Sequence, residues 1–127
     1  MRRRRVGLNP ETALQIACAN YLTIWARNKP HIFWCHIPNG GKRTVIEGAL
    51  FKRMGVKSGV PDLLIFFGTM PVWVELKCGK NKASESQKIF LEWATKYGHA
   101  ASICYGVDEL AVFLNEMDLL YSSHKNL

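Results

Sequence analysis

Asp62-Leu63-Leu64-Ile65-Phe66-Phe67 and Val72-Trp73-Val74-Glu75-Leu76-Lys77, joined by Gly68-Thr69-Met70-Pro71, decide how this chain folds. Both runs are apolar and rich in β-branched and aromatic residues, and the link between them carries turn residues, so together they predict a β-hairpin. With a four-residue turn at 68–71, Asp62 pairs with Lys77 and Leu64 with Glu75. Paired residues share a face, and faces alternate along each strand. Asp62, Glu75 and Lys77 then project from one face, with Asp62 and Glu75 diagonal neighbours about 7–8 Å apart. A slip of one residue would send Asp62 to the opposite face.

Outward from the hairpin, Asn9-Pro10-Glu11 predicts a helix start: a cap, a proline at the first helical position and an acid in the first turn. Leu14, Ala17, Tyr21, Ile24 and Trp25 recur at helical spacing until Asn28-Lys29-Pro30. Residues 31–37 suit a strand, and Pro38-Asn39-Gly40-Gly41 a turn. Val45, Ile46, Ala49, Leu50 and Met54 predict a second helix, closed by Gly55. Ser84 and Gln87 match a capping box opening a helix that Gly98 ends. A strand at 100–104 and an amphipathic helix at 107–117 follow. The order α-β-α-β-β-α-β-α predicts an α/β fold, a mixed sheet flanked by helices. Residues 1–8 are expected as a basic arm, 9–118 as one domain and 119–127 as a tail.

The chain has 127 residues, nearly half of them apolar, enough for one cored domain without staples. No stretch approaches the roughly 20 apolar residues of a membrane helix, and no apolar segment follows Arg2-Arg3-Arg4-Arg5 as a signal peptide requires. A cytoplasmic protein without membrane contact is expected. Cys18, Cys35, Cys78 and Cys104 lack zinc-site spacing and are read as reduced packing residues. The net charge of +7 suggests a polyanionic partner, nucleic acid first.

Hydrolysis of a phosphodiester needs a bound divalent cation, an activated water and a charge to steady the developing anion. Hard cations such as Mg²⁺ take carboxylate oxygens plus water and phosphate. Asp62, Glu75 and Lys77 on one sheet face supply such parts. A cross-strand Asp62–Lys77 ion pair at the solvent end of the hairpin is the alternative.

The series Glu11-x-x-x-Gln15, Pro38-Asn39-Gly40-Gly41-x-Arg43, Gly55 through Gly59-Val60-Pro61-Asp62, Glu75-Leu76-Lys77 and Ser84-x-x-Gln87 resembles the VRR-NUC domain, a branch of the PD-(D/E)xK nucleases. The resemblance runs from about residue 11 to about residue 114. It implies a restriction-endonuclease-like fold and Mg²⁺- or Mn²⁺-dependent DNA cleavage. It also implies metal ligation by Asp62, Glu75 and the carbonyl of Leu76, completed by Glu11, with Lys77 positioning or activating water. Gln87 joins the catalytic set. An acid at position 11 equally suits the helix dipole, and Gln87 equally suits its cap.

Gln15, Asn39, Gly40, Lys42, Arg43, Lys57 and Ser58 are the expected DNA contacts, although Asn39 and Gly40 could equally serve the turn alone. His36 and His99 are expected to be structural. The chain looks like the stand-alone form of the module common in phages and prophages, placed in a bacterial cell or phage-infected host. That form implies a homodimer cutting branched DNA, above all four-way (Holliday) junctions. A sequence-specific restriction-type enzyme and a non-catalytic DNA-binding module on the same fold are the alternatives.

Overall fold

A computed structural model describes residues 7–39 and 43–125. The arginine run at 2–5, and Gly40 and Lys42, lie outside the described residues. Eight elements follow the expected order: α1 Pro10–Trp25, β1 Ile32–His36, α2 Val45–Arg53, β2 Leu63–Phe67, β3 Met70–Leu76, α3 Glu85–Lys96, β4 Ala100–Cys104 and α4 Val107–Lys125. The strands form one sheet in the order β1-β2-β3-β4. The first two pairings are antiparallel and the β3–β4 pairing is parallel, with α3 as its crossover.

Local chemistry sets the helix starts. Asn9 Oδ1 accepts the Thr12 N–H at 2.8 Å, ahead of Pro10 at the first helical position. Thr44 caps α2 by accepting the Glu47 N–H. Both hydrogen bonds of the Ser84/Gln87 capping box are present at the start of α3.

Alternation splits the sheet into two faces. Leu63, Ile65, Phe67, Val72 and Val74 are fully buried against Cys18 and Leu22 of α1 and Leu110 and Leu114 of α4. Each such large side chain contributes about 1.5–3 kcal/mol of burial. Trp73, between Val72 and Val74, points to the other face, where Phe90 of α3 meets it edge-on at 4.8 Å. Helices therefore cover both faces. All four cysteines are free, and burial pushes the Cys18 and Cys104 thiols up to about 11, consistent with packing roles.

The hairpin register differs from expectation by two residues. Leu63 pairs with Val74 and Phe67 with Met70, so the loop is Gly68-Thr69 alone. Gly68 has φ +61°, the positive value a type II′ turn requires at its first central position. Pro71 is tolerated inside β3 because of where its missing N–H falls. The Phe66–Pro71 pair sits one step from the closing pair, so that nitrogen faces away from β2, and β4 begins only opposite Val72. Continuing the ladder one step places Asp62 opposite Glu75, not Lys77. A two-residue shift preserves parity, so the three side chains keep their common face.

The last helix also exceeds expectation, continuing past 117 through the segment expected as a tail to Lys125. Residues 118–125 contain no glycine or proline. Asp118 holds His31 Nε2 at 2.9 Å and Lys29 Nζ at 3.2 Å, and Tyr121 stacks on the His31 ring at 4.6 Å. These contacts tie the extension to the start of β1.

Candidate active site

The site forms where β2 begins and β3 ends. The Leu76 N–H donates to Asp62 Oδ2 at 2.8 Å, aiming the carboxylate across the strands. The Asp62 carbonyl accepts the Ile37 N–H at 2.8 Å, and His36 Nδ1 lies 2.8 Å from the same oxygen. His36 thus has a structural role, as does His99, whose Nδ1 accepts from Trp73 Nε1.

Glu75 is 4% exposed, although it is ionisable. Its Oε1 accepts from Gln87 Nε2 at 3.0 Å, and Lys77 Nζ lies 3.6 Å from the same oxygen. Its Oε2 is buried and has no hydrogen-bond partner among the described residues. Burial pushes the Glu75 pKa up to about 8; the neighbouring Asp62 charge adds to the rise, and Lys77 opposes it. Gln87 caps α3 and holds Glu75 with opposite ends of one amide. Its Oε1 accepts the Ser84 N–H at 2.8 Å, while its Nε2 holds Glu75. Gly59, with φ +83°, brings the loop before Asp62 against this helix start, where a Cβ would overlap the Ser86 carbonyl.

A cleft of about 280 Å³ gathers Glu11, Asp62, Glu75, Leu76, Lys77 and Gln87, together with Asn39. Among the described residues, no three His, Cys, Asp or Glu side chains form a complete metal-holding group. A hard cation would take Asp62 and Glu75 and fill its remaining positions with the Leu76 carbonyl, water or phosphate. A buried carboxylate oxygen without a partner fits that use, because an unsatisfied buried polar atom is otherwise costly.

A solved structure titled "VRR_NUC domain protein" has this architecture. It superposes with a TM-score of 0.60 at 25% sequence identity, covering 88% of this chain and 89% of that one. This chain is therefore similar in fold to a VRR-NUC domain protein. Its mixed sheet flanked by helices agrees with a restriction-endonuclease-like VRR-NUC domain. No family model and no curated protein matches the sequence.

The expected DNA contacts are divided. Gln15 and Arg43 line a second, larger cleft of about 1010 Å³ between α1 and α2, which shares Glu11, Asp62 and Leu76 with the site. Arg43 lies over the Phe51 ring at 4.3 Å. Asn39 lines the smaller cleft and donates its side-chain N–H to the Lys57 carbonyl, tying two loops together. Lys57 and Ser58 line neither cleft. Two lining residues, Cys78 and Asn81, were not foreseen from sequence. The signal that could have found them is their position directly after Lys77 in a short basic loop. No helix of the described residues is long and apolar enough to cross a membrane.

Proposed function

We propose that this chain is a Mg²⁺- or Mn²⁺-dependent DNA endonuclease, selective for branched DNA, that resolves four-way junctions as a homodimer. The observation that carries the reading is Glu75 Oε2, buried and without a partner beside the Asp62 carboxylate. The VRR-NUC neighbour supports the nuclease class.

Asp62, Glu75 and the Leu76 carbonyl would hold the cation, with Glu11 on the rim of the same cleft. A divalent ion there supplies Lewis-acid polarisation of phosphate and a more acidic bound water. The protein's own groups do the remaining work. The Leu76 N–H fixes Asp62, and Gln87 fixes Glu75. The Lys77 ammonium, beside Glu75, orients the attacking water or steadies charge on the phosphate oxygens. Charges act more strongly around the buried Glu75 carboxyl than in water, because water is excluded from it.

Support for the homodimer comes from α2. It buries none of its residues and shows Val45, Ile46, Leu50 and Met54 to solvent. Such exposed apolar residues clustered on one helix suit a self-complementary two-fold contact. The test is purified protein with Mg²⁺ on linear duplex, flap, splayed-arm and four-way junction DNA. The expected result is paired cuts on the junction and little cutting of linear duplex. Absence of cleavage on every substrate with Mg²⁺ or Mn²⁺ would leave a DNA-binding module.

A further inference from the structure

A strand cut inside a cleft has to leave it in two directions. The cleft between α1 and α2, with Gln15 and Arg43, serves one of them. A further cleft of about 570 Å³ opens between Asn9, Pro10 and Glu11 at the α1 start and the loop residues Gly79, Lys80 and Asn81. Asn9, Glu11 and Cys78 line both of these clefts, and Glu11 and Cys78 line the site as well, so the two openings adjoin at the first turn of α1. Cys78 and Asn81 are also shared with the site, which makes this opening continuous with Glu75 and Lys77.

The loop that walls this exit reads Lys77-Cys78-Gly79-Lys80-Asn81-Lys82, with three lysines and no acid. It is also held in shape. The Lys77 N–H donates to the Cys104 carbonyl at 3.0 Å, and the Asn81 N–H closes a turn onto the Cys78 carbonyl at 3.1 Å. Gly79 supplies the φ of +56° that this turn needs. The Tyr105 hydroxyl then donates to the Asn81 carbonyl at 2.7 Å. Both external anchors come from the end of β4, so the core sheet fixes the loop relative to Glu75. Tyr105 takes the main-chain oxygen of Asn81, while Lys80 and Asn81 line the cleft.

We propose that this cleft binds the sugar-phosphate backbone of the cut DNA strand where it leaves the site along the Lys77–Lys82 loop, while the α1–α2 cleft takes the other end of the strand. Lys80 and the Asn81 side-chain amide contact a phosphate next to the scissile one, and Tyr105 is the positioning residue that holds the loop. The proposal rests on the endonuclease reading above. A lysine contributes a point charge to such a contact, and a main-chain-anchored turn removes the entropy cost of ordering it.

The test uses the intact protein and a fluorescein-labelled four-way junction. Binding is measured in EDTA over a salt series, and single-turnover cleavage in Mg²⁺. Lys80→Ala should weaken binding several-fold and flatten the slope of log K against log salt by about 0.9. Lys96→Ala, on α3 away from all three clefts, is the charge control and should keep the wild-type slope.

Junctions carrying single neutral methylphosphonates stepped along the cut strand then locate the contact. One position close to the cut should weaken wild-type binding and leave Lys80→Ala unaffected. Tyr105→Phe should blur that position without lowering the melting temperature by more than a few degrees. A Lys80→Ala variant with the wild-type salt slope and the wild-type methylphosphonate map overturns the proposal. A wild-type map in Tyr105→Phe overturns the positioning role. If no protein cleaves, the endonuclease reading fails while the binding map still decides this one.

Discussion

Replacing Glu75 by glutamine should make the metal-free protein more stable, and by an amount that depends on pH. Glu75 is 4% exposed, with one carboxylate oxygen unpartnered and Asp62 beside it. Its pKa moves from 4.5 to about 8, through burial first and the Asp62 charge second. Between those values the folded chain keeps a proton that the unfolded chain has released. The unfolded state therefore binds fewer protons, and stability falls as pH rises, by about 1.4 kcal/mol per unit. The fall begins near pH 4.5 and levels off above pH 8. From pH 5 to pH 7 the wild type should lose about 3 kcal/mol through this group. That is a large share of the roughly 5–15 kcal/mol stabilising an ordinary domain.

The amide introduced by Glu75→Gln would keep an oxygen for Gln87 and cannot ionise. Urea melts in EDTA at half-unit pH steps should show the two proteins converging near pH 4.5. Glu75→Gln should then be the more stable by about 3 kcal/mol at pH 7. In thermal melts this corresponds to about 10 °C for a domain of this size. Taking the difference between the proteins removes every other titrating group. Parallel stability curves across pH 5–8 would refute the claim that Glu75 is held protonated by its surroundings. Cation ligation requires the charged carboxylate. Mg²⁺ should accordingly stabilise the wild type more at pH 8 than at pH 5, and should do little for Glu75→Gln.

Asp62→Ala or Glu75→Ala should abolish cleavage while circular dichroism shows the fold intact and the melting temperature held or raised; full activity in either would remove it from the site. Lys77→Ala should slow turnover more than it weakens junction binding, and equal losses would make Lys77 a phosphate anchor instead. Gly59→Ala should cost several kcal/mol or prevent folding, because φ is +83° and the new methyl meets the Ser86 carbonyl; Gly55→Ala, at φ +97° but in open space, should cost only about 1–2 kcal/mol. Light scattering at micromolar concentration should give about twice the chain mass, and a crossed dimer of wild type with Glu75→Ala should nick only one strand of a junction. A monomer both free and on DNA would end the junction-resolving role and leave the cleavage chemistry standing.

The difference between what the sequence told and what it hid follows the range of each interaction. The start of α1 at Asn9-Pro10 and of α3 at Ser84 rests on hydrogen bonds spanning three residues, and both are readable locally. The strand at 100–104 is equally clear from its flanks. Pro71 reads as part of the turn because a proline ordinarily ends a strand. Its place inside β3 depends on β4 starting one residue later, a fact about a segment nearly thirty residues away. The run of α4 to Lys125 likewise depends on His31, Lys29 and Gly68, against which Asp118 and Tyr121 pack.

The candidate site survived the register error because parity, rather than the particular partner, sets the face. Moving the pairing by two residues exchanged Lys77 for Glu75 opposite Asp62 and left all three on one side. The exchange matters for the chemistry. A lysine opposite Asp62 would make an ordinary ion pair, satisfied by itself. A second carboxyl opposite Asp62, sealed under α3 and held at one oxygen by Gln87, leaves an unpartnered oxygen and a group whose ionisation both burial and the Asp62 charge oppose. A glutamate in an apolar strand is visible in the sequence, but its cost is not, since that cost arises only once α3 covers it. The same reasoning separates the two glutamine roles. The cap is local and can be read from Ser84-x-x-Gln87, whereas the bond to Glu75 needs the tertiary approach of α3 that Gly59 permits.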